Sequence, residues 1–505
     1  MTVAVVGGGI TGLTAAFVLG RAGIPTVLLE ATDRLGGKVR TERVDGFLVE
    51  SGPDSFIAYR PPAIELCREL GLADAIIGPT DPRVVDVRTR GRFVGLPDGM
   101  GLVLPTRLRP LVTTRLFSPL EKARMGLDLV LPRAGVDGDI AVGPFLRRRL
   151  GGALVERLAG PLLGGVYGVP IDELSLDAVV PQLREAERDH RSLLLASLAQ
   201  GRARQQAGQG GGSPFVSLAG GMGQLTDALG AALGASPCVA VRTGAEVAGL
   251  ARQGSGFALR LADGERLLAD AVVLASPAHS SADLLESSAP DAAHHLRSIP
   301  HGSSGTVSLG YRAAQFPDAA PPVGHGFLVA DDEPLSIRAC TWSSSKWAGR
   351  APDGTVLLRA FLGWTGERLL AGPDAGIVAA VRRDIEATVG VRGDPVLTRV
   401  GRQAAMPRYT VGHLERVAAA FDSLAGVPNL VLAGAAYRGA GLPDCIAQGR
   451  MAAARVQDVL GGTDDHVSAA TGADATPLDR IPIGSGGRVT SVGATFREEL
   501  AGEGI

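Results

Sequence analysis

A glycine-rich turn near the start of the chain limits the fold more than any other feature of the sequence. Gly7, Gly9 and Gly12 fill a G-x-G-x-x-G pattern between the apolar stretch Val3–Val6 and a segment rich in Ala and Leu. In a βαβ unit such glycines form a tight turn, let the backbone approach a ligand, and open a helix whose first amides can bind a pyrophosphate. The pattern predicts an α/β fold that begins with a dinucleotide site.

An acidic residue stands where the second strand of such a unit ends. A predicted helix over 13–22 and a break at 23–25 are followed by the apolar stretch Thr26–Leu29 and then by Glu30. A carboxylate at this position accepts hydrogen bonds from the hydroxyls of an unphosphorylated ribose. With 70 glycines in 505 residues the glycine pattern alone arises easily by chance, so the strand, the helix and the acid are what give it weight.

Two further motifs behind Glu30 indicate a family. Residues 34–41 read RLGGKVRT, and residues 50–56 read ESGPDSF. The first segment resembles the Gly-Gly-basic segment of the flavin-containing amine oxidase superfamily. The second narrows the resemblance to the protoporphyrinogen and coproporphyrinogen oxidases, and most of all to the Gram-positive coproporphyrinogen III oxidases. Segments at 161–168, 341–347, 406–413 and 439–446 extend the resemblance over nearly all of 3–460.

The resemblance implies FAD as the cofactor. It also implies an α/β fold with a Rossmann-like FAD-binding domain of the amine oxidase type, a β-rich substrate domain and a helical insertion. The helix predicted to open near Leu442 would direct its N-terminus at the flavin and stabilise the negative charge of the reduced ring. The residues expected to bind FAD are Gly7, Gly8, Gly9, Ile10, Thr11, Gly12, Glu30, Ala31, Gly36, Gly37, Lys38, Gly52, Pro53, Asp54, Ser55, Val247, Gly434, Leu442, Pro443 and Asp444.

The predicted FAD-binding domain is discontinuous in sequence. We expect it to comprise 1–83, 214–284 and 401–460, with the substrate domain over 84–104 and 285–400 and the insertion over 105–213. The stretch 202–212, rich in Gln, Gly and Arg, is predicted to be a mobile linker. The tail 461–505 has no apolar periodicity and is predicted to be disordered.

Composition and charge narrow the class of protein. The chain is 45% hydrophobic and 20% charged, which is typical of a soluble enzyme, and its net charge of -2 gives no general affinity for nucleic acid. Apolar runs such as 193–196 are too short to span a bilayer, and no leader precedes Val3. Four scattered cysteines without C-x-x-C spacing or a nearby histidine suggest no metal site. We expect a cytoplasmic protein.

The predicted insertion is rich in arginine, as at Arg107, Arg109, Arg115, Arg124 and 147–149. A solvated helical face accounts for this pattern. The alternative is a basic surface that makes peripheral contact with the inner face of the membrane or with a neighbouring haem-pathway enzyme.

The sequence contains no evident paired carboxylates, Ser-His-Asp order or metal cluster, which fits an enzyme whose cofactor carries the chemical step. The resemblance implies oxidation of coproporphyrinogen III to coproporphyrin III in haem biosynthesis. Six electrons would leave in three hydride transfers to flavin N5, with O2 as acceptor, hydrogen peroxide as by-product and no catalytic side chain. The 47 arginines against three lysines suggest a GC-rich bacterial source, consistent with that branch.

The tetrapyrrole is expected to meet a glycine-rich bend and a cation. Gly165, Tyr167 and Gly168 suit the close approach of a large flat ligand, although a helix-breaking corner explains the same residues. Arg60 follows the flavin-binding segment, and its guanidinium can pair with a propionate. A surface arginine beside Pro61 is the alternative.

Three other functions share these motifs. A protoporphyrinogen IX oxidase differs only in substrate. A flavin amine oxidase normally has a lysine near flavin N5 on a strand of its second domain, and the candidate strand over 306–311 contains none. A non-catalytic binding protein of the same fold would need no flavin, so the visible spectrum separates it from an enzyme. The family usually has Trp where this chain has Arg402 and Gln403, which leaves one flavin contact undefined.

Overall fold

A five-stranded parallel sheet joins segments from both ends of the chain. A computed structural model describes residues 1–100, 103–133, 135, 138–206, 213–363 and 366–461, without the side chains of 204 and 205. The strands of this nucleotide sheet run, from edge to edge, Val239–Arg242, Thr26–Leu29, Val3–Val6, Ala271–Leu274 and Leu430–Leu432. Val5 pairs with Leu28 on one side and Val273 on the other. The predicted strands Val3–Val6 and Thr26–Leu29 are confirmed.

Helices cover both faces of the nucleotide sheet, and its central strands are therefore continuous apolar runs. Val3, Val5 and Leu28 face one side, and Ala4 and Val6 face the other. The first side is covered by Ile10–Arg21, Pro61–Glu69, Gly223–Gly234 and Leu442–Gly461, and the second by Ala278–Leu285, Pro290–Arg297, His413–Asp422 and the three-stranded sheet Val247–Gln253, Gly256–Leu261 and Arg266–Ala269.

A seven-stranded, mostly antiparallel sheet forms the second large layer. Its order is Leu397–Pro407, His301–Arg312, Thr355–Leu362, Ala339–Trp342, Gly326–Val329, Val85–Thr89 and Arg92–Gly95, and only the contact between Gly326–Val329 and Val85–Thr89 is parallel. Helix Asp374–Val389 packs on it through Ile377 and Val381. The turn at 90–91 joins the last two strands into a hairpin. The strand Leu397–Pro407 crosses the predicted domain boundary at 400–401 without a break.

A helical region follows the edge hairpin and has its own apolar core. Its helices are Leu108–Thr113, Pro119–Gly126, Leu127–Leu129, Val142–Leu150, Gly152–Leu154, Val155–Gly164, Gly165–Tyr167, Leu176–Val179, Pro181–His190 and Leu193–Gln206. The side chains of Arg149 and Asp128 are fully buried here and form an ion pair of 2.6 Å.

Two expectations for this region were wrong. Residues 202–206 continue the helix Leu193–Gln206, so the predicted linker does not begin at 202, and 207–212 lie outside the described residues. The glycine-rich bend expected over 161–168 is instead helical through Tyr167, because the π-helix Val155–Gly164 runs directly into Gly165–Tyr167. Gly168 then ends the helix in the left-handed conformation, with φ 63°. The apolar faces of these turns outweigh the helix-breaking tendency of Pro161 and the glycines.

Short elements complete the described chain, residues 1–461 of which form one packed unit. They are the hairpin Thr41–Val44 and Phe47–Glu50, the small sheet of Phe56–Ile57, Ile76–Ile77 and Phe215–Leu218, and the helices Ala73–Ala75, Ala313–Gln315, Pro317–Ala319, Ser343–Lys346 and Glu367–Leu370. The predicted disordered tail lies outside the described residues from 462 onward. Among the helices that are described, none combines the length and apolarity that a membrane span needs.

Candidate functional site

The glycine turn after the first strand is built for close backbone packing. Gly7 has φ +108°, which side chains rarely adopt, and a Cβ on Gly12 would lie 1.9 Å from the Gly7 carbonyl oxygen. Gly8 follows with its N–H directed at Glu30. Only glycines allow the strand to turn this sharply into the helix.

The helix Ile10–Arg21 opens with free amides. Its N-cap is Gly9, which offers no side-chain acceptor to the N–H groups of Ile10, Thr11 and Gly12. A Cβ on Gly9 would meet no atom within 4 Å, so open space lies over the turn. Open space at uncapped helical amides suits a diphosphate.

Glu30 is fixed at the end of the second strand. One carboxylate oxygen accepts from the Gly8 N–H at 2.7 Å, and the other accepts from the N–H and hydroxyl of Thr32 at 2.9 and 2.7 Å. A carboxylate has about four lone-pair sites, so acceptor capacity remains for a ribose hydroxyl. The Glu30 carbonyl accepts from the N–H of Ala245 at 2.8 Å, which brings the strand starting at Val247 close to the exposed Ala31.

The second glycine segment lies directly on the first. The Gly36 N–H donates to the Gly8 carbonyl at 2.8 Å, and a Cβ on Gly37 would come within 3.0 Å of the Gly9 Cα. Lys38 follows, and burial lowers the pKa of its ammonium, partly offset by the nearby Cys445. A half-buried cation next to uncapped amides is suited to a phosphate.

The Gly52–Ser55 segment packs against Lys38, because a Cβ on Gly52 would lie 1.9 Å from the Lys38 carbonyl oxygen. Pro53 is half-buried within it. The Asp54 carboxylate accepts from Lys346 Nζ and Trp347 Nε1, both at 3.2 Å, and from the Ser55 hydroxyl at 2.8 Å.

Burial alone would raise the pKa of Asp54, but the cations Lys346 and Arg359 and the hydrogen bonds together hold that pKa well below its usual range. The Asp54 carboxylate therefore joins this segment to the large sheet.

The last described helix, Leu442–Gly461, brings the far end of the chain to the glycine turn. A Cβ on Gly449 would lie 2.5 Å from the Thr11 carbonyl oxygen, so the two helices touch backbone to backbone. Gly434, with φ +142°, follows the strand Leu430–Leu432, and a Cβ there would lie 4.0 Å from the Ala275 carbonyl oxygen. Leu442 and Pro443 are buried in the first turn.

Arg60 forms an ion pair with Asp444 at the start of this helix. Burial raises the pKa of Asp444, and the charge of Arg60 and its hydrogen bond oppose that shift. Tyr167 lies within electrostatic reach of both: burial raises the pKa of its phenol, Asp444 adds to the rise, and Arg60 reduces it. Gly165 has open space at its Cα, one turn before Gly168. The structure thus brings Arg60 and Tyr167, two of the residues expected for substrate, close to Asp444, which is expected for FAD.

Tyr409 belongs to this site but carried no expected role. Its hydroxyl donates to the Ala435 carbonyl at 2.8 Å and accepts from the Gly439 N–H at 2.9 Å, so it holds the loop between Gly434 and Leu442. The ring of Tyr409 stacks on His413 at 3.9 Å and lies 5.8 Å from that of Tyr167. The sequence contained one indication of this role, because Tyr409 is the aromatic residue of the motif at 406–413.

Gln403 and Arg402 stand at the position where the resemblance predicts a Trp. The Gln403 amide donates to the Ser51 carbonyl at 2.9 Å and to the Lys38 carbonyl at 3.4 Å. Arg402 points away and pairs with Asp374. Gln403 therefore links the segment at Lys38 to the segment at Ser51 by hydrogen bonds.

Comparison with known proteins defines the class. Residues 10–457 match the model of the family described as flavin containing amine oxidoreductase, and the chain belongs to that family. FAD is its cofactor. The open space at Gly9, the uncapped amides and the remaining acceptor capacity of Glu30 fit the dinucleotide.

Three relatives place the chain more narrowly. It is 47% identical to the coproporphyrinogen III oxidase of Propionibacterium freudenreichii subsp. freudenreichii, covering 90% of both chains. It is 35% identical to the coproporphyrinogen III oxidase of Bacillus subtilis strain 168, covering 91% of this chain and 97% of that one. A crystal structure from Exiguobacterium sp. 255-15, described as a protoporphyrinogen oxidase, has a TM-score of 0.79 at 32% identity and covers 90% of this chain and 98% of its own. The chain is an oxidoreductase of this porphyrinogen oxidase group.

Proposed function

We propose that this protein oxidises coproporphyrinogen III to coproporphyrin III in haem biosynthesis, with O2 as the final acceptor. The observation that carries the proposal is the 47% identity to the Propionibacterium enzyme over 90% of both chains. The balanced reaction consumes three O2 and releases three H2O2, because six electrons and six protons leave the macrocycle. Bound FAD supplies the two-electron acceptor for each hydride.

The chain's own residues bind and orient the reactants. The glycine turn, Glu30, Gly36–Lys38 and Gly52–Ser55 hold the dinucleotide, together with the backbone at Val247 and Gly434 and the helix start at 442–444. Arg60 pairs with a propionate, since only one of its guanidinium nitrogens is needed by Asp444. Tyr167, Gly165 and Gly168 line the position of the flat macrocycle. We assign no acid or base to a side chain, and pyrrole protons pass to water.

The test is a comparison of two porphyrinogens under identical oxygen and detergent. Coproporphyrinogen carries four propionates where protoporphyrinogen IX carries two, so its additional carboxylates can pair with cations of the site. We expect a higher kcat/KM for coproporphyrinogen III, measured by porphyrin fluorescence. A clear preference for protoporphyrinogen IX would overturn the substrate and leave the flavoenzyme in place.

Protoporphyrinogen IX is the second candidate substrate, favoured by the description of the Exiguobacterium protein. It needs fewer cationic contacts and a more apolar slot. Arg60→Ala separates the two: it should reduce the rate on coproporphyrinogen more than the rate on protoporphyrinogen IX.

Peripheral membrane contact is a further part of the proposal. Val112, Leu120 and Val130 in the helical region expose 64%, 80% and 70% of their surface, beside Arg115 and Lys122. Exposed apolar side chains among cations suit an anionic bilayer surface. Co-sedimentation with phosphatidylglycerol vesicles should fall for Val112→Glu/Leu120→Glu, and the matched control Leu268→Glu, exposed on another sheet, should bind like the unchanged protein. Equal binding by all three would refute the contact.

A further inference from the structure

A groove of about 710 Å³ opens between the edge strand Arg92–Gly95 and the helix Leu108–Thr113. Arg92 comes from the strand, Arg109 from the helix, and Arg115 from the turn after it. None of the residues assigned above to FAD or to the tetrapyrrole lines it. The volume is that of a pocket for a small organic ligand.

The charge of the groove is unbalanced. Three arginines line it against one carboxylate, that of Asp98. Within the described part of the chain, Arg92, Arg109 and Arg115 form no ion pair, whereas the buried Arg149 is fully bound by Asp128 and backbone carbonyls. Three guanidinium groups that share a concave surface with a single carboxylate create a local positive potential, even on a chain with a net charge of -2.

The C-terminal end of the helix Leu108–Thr113 lines this groove and offers groups that favour an anion. The Thr114 hydroxyl accepts from the Leu116 N–H at 3.1 Å, which leaves its proton free for a ligand. Lys122 donates to the Thr114 and Val112 carbonyls at 2.7 and 2.6 Å. This ammonium offsets the negative end of the helix, which would otherwise repel an anion.

The wall opposite the helix is the edge strand of the large sheet. Phe93 packs edge to face on Phe327 at 5.0 Å, and the Arg88 guanidinium lies 5.1 Å from the Phe93 ring. Arg92 is therefore carried by a strand fixed to the large sheet. Cations on two fixed walls favour a ligand that spans them with more than one anionic group.

We propose that this groove binds a small polyvalent anion, with two or more phosphate or carboxylate groups, either free in solution or as the headgroup of an anionic lipid. Arg92 binds one group from the strand side, and Arg109 and Arg115 bind the other from the helix side. The site is separate from the FAD and tetrapyrrole sites proposed above, and it shares Arg115 and the helix Leu108–Thr113 with the surface proposed for membrane contact.

The experiment uses the FAD-loaded enzyme, so that the dinucleotide site cannot take the probe. Inorganic pyrophosphate and citrate are titrated by calorimetry, and phosphatidylglycerol vesicles by co-sedimentation. We expect one pyrophosphate or citrate per chain, at least tenfold weaker binding by Arg109→Gln/Arg115→Gln, and the same loss for Arg92→Gln. Arg252→Gln, an exposed arginine on another sheet, is the matched control.

The results of these titrations distinguish a free anion from a lipid headgroup as the ligand. Binding of the free anions that depends on the three arginines supports a soluble ligand. Binding of vesicles alone, with the same dependence, supports a lipid headgroup. No binding in any arm, or an equal loss with Arg252→Gln, overturns the proposal. The flavin absorbance of each variant reports that it has folded.

Discussion

Arg60 and Asp444 are 384 residues apart in sequence and form an ion pair at the start of the last described helix. Arg60 is 49% exposed and Asp444 23% exposed, so solvent screens part of the attraction and the guanidinium can exchange partners. The pair therefore places a cation at the site and keeps it available to a carboxylate.

Replacement of Arg60 tests that role. Arg60→Ala should raise KM for coproporphyrinogen III by roughly ten- to a hundredfold, the value of a charge-assisted hydrogen bond, with FAD content unchanged. Steady-state kinetics and the flavin spectrum measure the two quantities. Arg60→Lys should recover part of the affinity, and Arg68→Ala, at an exposed arginine on the adjacent helix, should match the unchanged protein. An unaltered KM in Arg60→Ala would show that the residue is only a surface partner of Asp444.

Glu30 is predicted to retain the adenosine half of FAD. Glu30→Ala removes the ribose acceptor and also leaves the Gly8 N–H without its partner, so FAD affinity should fall roughly ten- to a hundredfold. Fluorescence of flavin released on dilution measures this. Asp33→Ala, three residues further on and exposed, is the control. Equal retention by both variants would remove Glu30 from the cofactor site.

Asp54 is predicted to matter for stability more than for chemistry. Asp54→Ala leaves Lys346 without its carboxylate and Trp347 without its acceptor, which should lower the free energy of unfolding by about 3 kcal/mol. Urea unfolding followed by Trp fluorescence measures the loss. Asp283→Asn at the exposed ion pair with Arg297 should cost less than about 1 kcal/mol. A loss no larger than this control would mean that Asp54 is not a structural anchor.

His413 should make stability depend on pH. Burial lowers the pKa of His413 from 6.5 to about 4, and the charges of Arg416 and His301 also lower it. The hydrogen bond to the Tyr437 carbonyl and the charge of Asp139 raise the pKa and offset part of this shift. Between these values the unfolded chain binds a proton that the folded chain does not. The free energy of unfolding contributed by His413 is therefore complete above pH 6.5 and is lost as pH falls toward 4, by up to about 3 kcal/mol.

The measurement is urea unfolding at pH 7 and pH 5. His413→Gln should lose less stability between these pH values than the unchanged protein, while His294→Gln, at an exposed histidine, should behave like it. The same pH dependence in all three proteins would assign the effect to other groups.

The parts of the site that were predictable are local in sequence. Gly7, Gly9, Gly12 and Glu30 lie within one βαβ unit, where turn geometry and hydrophobic patterning operate over a few residues. The partners of Asp54 are 292 and 293 residues away, and no local pattern specifies them. Tyr409 was missed for the same reason, because its hydrogen bonds join two loops that only the assembled sheets bring together.

The π-helix Val155–Gly164 shows a second reason why the sequence alone did not predict the fold. Its glycines and Pro161 predicted a bend in the chain, because these residues have a low helix propensity. Burial of Val155, Ala159 and Leu163 in the core of the helical region reverses that preference. Tertiary packing decides such segments.

The strand order of the nucleotide sheet has a consequence for protein synthesis. The strand at 430–432 pairs with 272–274, so both the sheet edge and the helix that meets the glycine turn emerge from the ribosome after more than four hundred residues. A nascent chain holds its complete dinucleotide motif for most of its translation and still lacks Gly434 and the helix start at 442–444, which are expected to complete the cofactor site. FAD capture should therefore report a finished chain: stalled chains ending at 425 should bind no flavin, and those extended through 461 and clear of the exit tunnel should.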